Sequence, residues 1–250
     1  MKRQKGKPSP PNGAPFPYGD YVQAQRDLQD IFAGPCTYST ICAASGMGKT
    51  SLARGLNQHN EGTRNTILYL SSSRVCAMGV VRCVAQRLHI WPKRNYLETV
   101  RLVADALSKN SGHVMLWIDE ADQVDVATLQ EIRMVAESEL TDTPLMSVVL
   151  SGLPSLANLL DTSALFPLKR RIEIQCILAG LRRNELDSFL VHRFGTAGEE
   201  RIPAAIRDEL FERTQAAPAV IDKVVRRALG RDKGLIDVEV FRAVLDTYGL

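Results

Sequence analysis

The segment Ala43-Ala44-Ser45-Gly46-Met47-Gly48-Lys49-Thr50 carries the strongest local signal in this chain. It follows an apolar stretch, Thr37 to Cys42, that is typical of a buried strand, and a helix is predicted to begin at Lys49. Gly46 and Gly48 let the backbone bend so that amide groups face an anion, and the helix N-terminus adds partial positive charge. The segment therefore predicts a phosphate-binding loop between a strand and a helix.

The loop departs from the pattern G-x-x-x-x-G-K-[ST] at one position, because Ala43 stands where the first glycine is expected. Alanine is small enough to be tolerated there if its φ is negative. The ammonium group of Lys49 is expected to reach the β and γ phosphates, and the hydroxyl of Thr50 to bind Mg²⁺. A chance glycine-rich turn is the alternative. The residues predicted to bind nucleotide are Ala44, Ser45, Gly46, Met47, Gly48, Lys49, Thr50 and Ser51.

A second stretch, Val114 to Asp122, carries acids at the end of an apolar run. In an open parallel sheet the carboxyl ends of the strands form the edge where ligands bind. Asp119 is expected to hold Mg²⁺, and Glu120 to act as the general base on an attacking water. The pattern is weak alone, but it lies about 70 residues after the phosphate loop, and the pair predicts an ATPase that uses ATP and Mg²⁺.

The order of predicted elements favours an α/β fold. Strands alternate with helices as far as Cys176, which indicates a five-stranded, mainly parallel sheet between helices. Residues 76–89 and 95–109 have helical periodicity, and only helices are predicted after Cys176. We predict a basic, proline-rich flexible arm (1–17), an α/β nucleotide-binding core (18–177) and a small all-helical lid (178–250).

Charge is concentrated at the N-terminus. The formal net charge is +3, and four cations in the first 17 residues leave the remainder at −1. The proline-rich arm either contacts nucleic acid through its phosphates or is a solvated tail, and the sequence leaves both open.

Composition excludes several classes of protein. Apolar residues make up 45% and charged residues 24% of the chain, which is ordinary for a globular protein. No stretch approaches the roughly 20 uninterrupted apolar residues of a membrane span, and no secretory signal is evident, so we expect a cytoplasmic protein without a membrane partner. The five cysteines form no C-x-x-C pair, which favours reduced thiols over a disulfide framework or a zinc site.

The phosphate loop, the acidic strand end, the five strands and the helical C-terminal part together resemble the AAA+ ATPases. Within that family, Asp119-Glu120-Ala121-Asp122, the segment Val149 to Pro154 and the helix beginning at Pro218 are most similar to the group that holds the ExeA/GspA secretion ATPases and the transposition ATPases MuB, TnsC and TniB. The resemblance covers about residues 20–248. It implies an AAA+ phosphate-loop core followed by a lid.

The resemblance also implies catalytic positions. Ser151, at the end of the fourth strand, matches the polar residue that helps to place the attacking water, although an ordinary strand-end serine is the alternative. A cation just before the fifth strand often acts on the ATP of a neighbouring subunit, and here Arg170 is the first candidate and Arg171 the second. A solvated basic turn is the alternative for these arginines.

Two further features follow from the resemblance. The lid helix in ExeA-like proteins commonly begins Gly-x-Pro-Arg, but Ala219 replaces the arginine, and Lys223 or Arg226 are the candidate substitutes. Slow turnover would be a consistent consequence. The segment before the first strand packs on adenine in this family, which makes Tyr18 and Tyr21 candidates for that contact, unless they are core residues of the first helix.

The resemblance does not determine which molecule the ATPase acts on. The first interpretation is an ATP switch that forms a ring or helical filament on duplex DNA and recruits or activates a transposase or another DNA-recombination protein. DNA in that group is held by the region after the second strand, where the break between two predicted helices carries Lys93-Arg94. A solvated loop is the alternative there, and a GspA-like secretion ATPase or a helicase-loader-type remodelling ATPase are the alternative functions. The predicted DNA contacts are Lys93, Arg94, Arg82 and Arg74.

Overall fold

The computed structural model describes residues 15–137, 144–231 and 234–249. Most of the predicted basic arm, residues 1–14, lies outside the described residues. Within its last part, the ring of Phe16 packs edge-on against Phe189, with the ring centroids 5.5 Å apart. No helix in the described ranges is long and apolar enough to cross a membrane.

A five-stranded parallel sheet forms the centre of the α/β part, and its strand order is β2-β3-β4-β1-β5. Every residue of β3 and of β4 is buried, as expected for central strands covered by helices on both faces. The predicted fold class is confirmed. The strands are β1 (Tyr38–Ala43), β2 (Thr66–Ser71), β3 (Val114–Asp119), β4 (Ser147–Gly152) and β5 (Ile172–Leu178).

Helices precede the sheet and connect its strands. The first begins before β1, and the second begins at the lysine of the phosphate loop. These helices are α1 (Gly19–Asp30), α2 (Lys49–His59), α3 (Ser72–Met78), α4 (Val80–Arg87), α5 (Tyr96–Ser108), α6 (Val126–Ala136), α7 (Ser155–Leu160) and α8 (Phe166–Lys169).

The helical periodicity over 76–89 corresponds in the structure to two helices, α3 and α4, rather than to one. Gly79 separates them with φ 76° and ψ 156°, a conformation that ends a helix and that favours glycine. The carboxylate of Glu131 then accepts the amide hydrogen of Val80 at 3.1 Å, which satisfies the new N-terminus of α4. Apolar periodicity runs through Gly79 unchanged, so hydrophobic spacing alone does not reveal the break.

The described residues form two compact units. The sheet unit comprises 23–44 and 49–178, and its core includes Trp117, Leu116 and Ile118, each with no exposed surface. The helical unit comprises 15–22, 45–48, 179–231 and 234–249. Its four longer helices bury Leu210 and Phe241 completely. They are α9 (Leu186–Glu199), α10 (Ala204–Arg213), α11 (Pro218–Arg231) and α12 (Val238–Thr247).

Candidate functional site

The phosphate loop has the backbone that its sequence predicts. Gly46 and Gly48 have φ values of 82° and 105°, in a region that L side chains rarely adopt. The ammonium group of Lys49 donates to the carbonyl oxygens of Ala43 at 2.6 Å and Ala44 at 3.1 Å. Burial lowers the pKa of Lys49, and the nearby Asp119 carboxylate opposes that shift. The lysine is thus held against its own loop, where a bound phosphate would compete for its hydrogens.

The carboxylate of Asp119 is the centre of a hydrogen-bond network at the end of β3. Thr50 donates to its Oδ2 at 3.0 Å, and Ser151 donates to its Oδ1 at 3.0 Å. These residues come from α2, β3 and β4, so the parallel sheet brings together three predicted site residues that are far apart in sequence. Asp119 is only 7% exposed, and its neighbours keep its oxygens oriented.

This donor set fits the ion that the sequence predicts. A carboxylate and a threonine hydroxyl are oxygen ligands, which Mg²⁺ prefers. Across the described residues no group of three or more His, Cys, Asp or Glu side chains is placed to hold a metal. Thr50 and Asp119 would be the protein ligands of such an ion, with phosphate oxygens and water supplying the rest.

The carboxylate of Glu120 is held by Ser72, the first residue of α3, which follows directly on β2. Glu120 has a left-handed backbone, with φ 55° and ψ 41°, which is uncommon for a residue other than glycine. Its Oε2 accepts a hydrogen bond from the hydroxyl of Ser72 at 3.0 Å. A strained backbone conformation like that of Glu120 is often found at functional sites, where the surrounding structure maintains it. Ser72 therefore restrains the side chain that the sequence predicts as the general base.

Sequence reasoning missed Tyr69 and Ser72. The hydroxyl of Tyr69 donates to Oδ2 of Asp119 at 2.5 Å, and burial, together with that bond, raises the pKa of Tyr69 to about 12. Both residues come from the end of β2 or just after it, and β2 pairs with β3 with Ser71 opposite Asp119. Polar residues at the end of a strand are a signal for such contacts, but only the strand order shows which strand lies beside the acids.

Tyr18 and Tyr21 belong to the helical unit, which also contains residues 45–48 of the phosphate loop. They are 2% and 3% exposed, and the Tyr18 hydroxyl donates to the carbonyl oxygen of Met47 at 2.6 Å. Burial raises the pKa of Tyr21 to about 12. The Tyr18 hydroxyl thus holds the backbone of the phosphate loop at Met47. A contact of either tyrosine ring with adenine stays a prediction.

The start of α11 also contacts the phosphate loop. The amide of Ala219 donates to the carbonyl oxygen of Gly46 at 3.2 Å. Lys223, one turn later, lies with its ammonium group 4.7 Å from the ring centroid of Tyr248. Arg226 donates to Asp222 at 2.8 Å and 3.2 Å. Both candidate substitutes for the missing lid arginine thus have partners within the helical unit, and their role toward a phosphate stays a prediction.

The two candidate arginines before β5 differ in their contacts. Arg171 donates to the carboxylate of Glu137 at 3.0 Å. Arg170 is exposed, and its guanidinium lies 5.9 Å from the ring centroid of Phe166. Arg171 is engaged in an ion pair within its own chain, whereas Arg170 is exposed, and a contact of either arginine with another subunit stays a prediction.

Three of the four predicted DNA contacts line one open groove of about 760 Å³ beside α4, which we call the basic groove. Arg82, Lys93 and Arg94 are all exposed. Arg74 lies next to the groove, because it donates to the side-chain oxygen of Gln86 at 3.0 Å. The residues that line the basic groove are Met78, Arg82, Gln86, His89, Ile90, Trp91, Pro92, Lys93 and Arg94, and none of them is acidic.

Comparison with known sequences identifies the family. Residues 34–160 match the family described as AAA domain. Among curated proteins, general secretion pathway protein A of Aeromonas hydrophila is 25% identical over 192 residues, which cover 74% of this chain and 35% of that protein. The chain therefore spans about a third of the length of this relative.

Solved structures share the fold at low sequence identity. Cdc6p from Pyrobaculum aerophilum matches with a TM-score of 0.66 and 14% identity, over 90% of this chain and 66% of that one. ORC1 from Aeropyrum pernix, in complex with DNA, matches with a TM-score of 0.65 and 15% identity, over 95% of this chain and 66% of its own. A variant of RuvB from Thermotoga maritima gives a TM-score of 0.56 and 17% identity, over 91% of this chain and 66% of that one. These matches confirm the AAA+ fold, whereas the resemblance to MuB, TnsC and TniB stays a prediction.

Proposed function

The chain belongs to the AAA domain family, and on that premise we propose that it is an ATPase that assembles on duplex DNA. The observation that carries the ATPase part is the 3.0 Å contact between Thr50 and Asp119 beside a glycine-bent phosphate loop. The basic groove supports the DNA part. Through this assembly the protein would recruit or activate a transposase or another DNA-recombination protein.

Each residue of the candidate site has a separate task in this proposal. Lys49 neutralises phosphate charge, and Thr50 with Asp119 would hold Mg²⁺, which would supply further neutralisation. Glu120 accepts the proton of the attacking water. Ser151 keeps Asp119 oriented and lies at the strand end where the family's water-placing residue is found.

Assembly is the second part of the proposal. Arg170 of one subunit stabilises the charge that develops on the γ-phosphate bound by its neighbour, so bound ATP favours the oligomer. Hydrolysis removes that interaction and loosens the assembly on DNA. The same ATPase site therefore controls how long the protein stays on DNA.

Electron microscopy of the protein with duplex DNA and a slowly hydrolysed ATP analogue tests this function. We expect rings or filaments around the DNA with the analogue and far fewer with ADP. Monomers that leave the DNA bare under both conditions would contradict the proposal. A transposase gene beside the gene for this chain would support the proposed partner.

Ser72→Ala is expected to increase basal ATP hydrolysis, because it removes the hydrogen bond that restrains Glu120. A hydrogen bond to a charged group is worth about 1.5–3 kcal/mol, which corresponds to roughly a tenfold or greater change in rate. Steady-state phosphate release measures the effect. Ser73→Ala is the matched control, since Ser73 is exposed and bonds only Ser71 among the contacts described. An unchanged or slower rate in Ser72→Ala would argue against the restraint.

Arg170→Ala is expected to inactivate the ATPase, and mixing this variant with Lys49→Ala subunits is expected to restore part of the activity. Arg170→Ala subunits keep an intact phosphate loop, and Lys49→Ala subunits keep the arginine, so mixed assemblies contain some complete sites. An arginine finger is worth about 10³–10⁵ in rate, so Arg170→Ala alone should be inactive. In an equal mixture about half of the sites have an intact phosphate loop and about half of those adjoin an intact arginine, so we expect about a quarter of wild-type hydrolysis. A mixture as inactive as its two components would place the arginine's role within its own subunit.

Lys93→Ala combined with Arg94→Ala is expected to weaken duplex binding about tenfold or more. Each lost phosphate contact should reduce the slope of log affinity against log salt by about 1. Fluorescence anisotropy between low and moderate salt measures both quantities. Arg101→Ala with Lys109→Ala removes the same charge from exposed positions at α5 and its C-terminal end and is the control. Equal slopes for the two double variants would favour a solvated loop.

A secretion ATPase is the second candidate function, favoured by the 25% identity to general secretion pathway protein A. A helicase-loader-type remodelling ATPase also fits the shared fold. Nucleotide-dependent assembly that is indifferent to DNA would favour the secretion ATPase. Assembly that requires DNA and is stimulated by a helicase rather than a transposase would favour the loader.

A further inference from the structure

We propose that the basic groove takes an unpaired nucleobase, stacked on the indole ring of Trp91, so that the preferred DNA is locally unpaired or distorted. This inference rests on the proposed DNA-binding function and specifies the form of DNA that it recognises. It uses a residue that neither the ATPase chemistry nor the predicted phosphate contacts require.

Trp91 is unusually accessible for a tryptophan, with 87% of its surface exposed. The other tryptophan of the chain, Trp117, is fully buried in β3. Tryptophan carries a large apolar surface, and leaving it in water forgoes the free energy of burial. The exposed ring lines the basic groove, where it is open to contact with a ligand from outside the chain.

The segment that carries Trp91 is fixed by hydrogen bonds on both sides. The amide of Ile90 donates to the carbonyl oxygen of Ala85 at 2.8 Å, and His89 holds a left-handed backbone with φ 59°. After Pro92, the amide of Lys93 donates to the hydroxyl of the buried Thr99 at 2.9 Å. The ring is therefore displayed on an anchored connection between α4 and α5, so little backbone freedom is lost when a ligand stacks on it.

The groups around Trp91 suit a nucleotide rather than an apolar peptide. Arg82, Lys93 and Arg94 supply positive charge for phosphates, and none of the described residues that line the groove is acidic. Glu131, an acid on the neighbouring α6, is engaged by the amide of Val80 and the hydroxyl of Tyr96. An aromatic face flanked by cations is the arrangement that binds single-stranded nucleic acid.

The geometry of stacking requires that the base bound by Trp91 be unpaired or displaced from its neighbours. In an intact duplex both faces of an internal base are covered by its neighbours, so an indole ring has no base face to contact. A bubble, a flipped base or a single strand presents such a face, and stacking on it is tolerant of sequence because every base has one. A duplex bound only through its phosphates would contact the cations of the basic groove and make no contact with the ring of Trp91.

Binding measurements on two matched DNAs test the proposal. One is an intact duplex, and the other is the same duplex with a short central run of unpaired thymines, both in the presence of a slowly hydrolysed ATP analogue. Base–aromatic stacking is worth about 1–3 kcal/mol, so we expect wild type to prefer the bubble about tenfold. Trp91→Phe should keep most of this preference, and Trp91→Ala should lose it while binding intact duplex almost as before. Leu97→Ala, another exposed apolar side chain, is the control and should keep the preference.

Tryptophan emission gives an independent readout. Because Trp117 is fully buried, quenching by a thymine oligonucleotide reports on Trp91, and we expect it to vanish in Trp91→Phe. Equal affinity for both DNAs, a preference that survives in Trp91→Ala, or full preference in Trp91→Leu would overturn the stacking proposal and leave duplex binding standing. Failure to bind either DNA would overturn the proposed function as well.

Discussion

Replacement of Lys49 by alanine is expected to lower ATP affinity at least about 100-fold and to abolish hydrolysis. A hydrogen bond to a charged group is worth about 1.5–3 kcal/mol, and this ammonium group is expected to contact two phosphates. The substitution also removes the donor that bonds the carbonyl oxygens of Ala43 and Ala44, so the loop loses part of its own support. Because a bound phosphate competes for those hydrogens, the lost phosphate contacts set the size of the effect on nucleotide binding.

Titration with a fluorescent ATP analogue measures the loss, and thermal unfolding without nucleotide shows whether the variant is folded. Lys109→Ala is the matched control, because Lys109 is exposed and paired only with the nearby, exposed Asp105 in the described contacts. Wild-type affinity in Lys49→Ala would remove the phosphate-loop assignment and every proposal that depends on it.

Glu120→Gln is expected to reduce hydrolysis by about 10²–10⁴ while leaving ATP affinity close to that of wild type. The amide keeps the size of the side chain but cannot accept the proton of the attacking water. Because Lys49, Thr50 and Asp119 are unchanged, nucleotide still binds, and assemblies on DNA should persist for the lifetime of bound ATP. Single-turnover hydrolysis and the dissociation rate from DNA measure the two effects separately.

Glu61→Gln makes the same chemical change at an exposed position between α2 and β2 and should leave both rates unaltered. Rapid release of Glu120→Gln from DNA in the presence of ATP would contradict the link between hydrolysis and assembly. Normal hydrolysis in this variant would instead move the general base to another residue.

Parts of the candidate site were predictable from local sequence because they depend on neighbouring residues. The positive φ values at Gly46 and Gly48 and the helix beginning at Lys49 follow from residue types at fixed spacing. The proximity of Thr50 and Asp119 followed less directly, from the rule that parallel strands present their carboxyl ends at one edge. The helix break at Gly79 escaped prediction, because glycine also occurs within helices and the apolar period continues across it.

The α/β class, the position of the phosphate loop and the two acids after β3 could be predicted from the chain alone, since each arises from short-range pattern and backbone chemistry. The contacts of Tyr69 with Asp119 and of Ser72 with Glu120, the pairing of Arg171 with Glu137, and the place of Trp91 in the basic groove came only from the three-dimensional arrangement. These contacts depend on strand order and helix packing. Those arrangements bring together residues that are distant in the chain, and no local pattern encodes them.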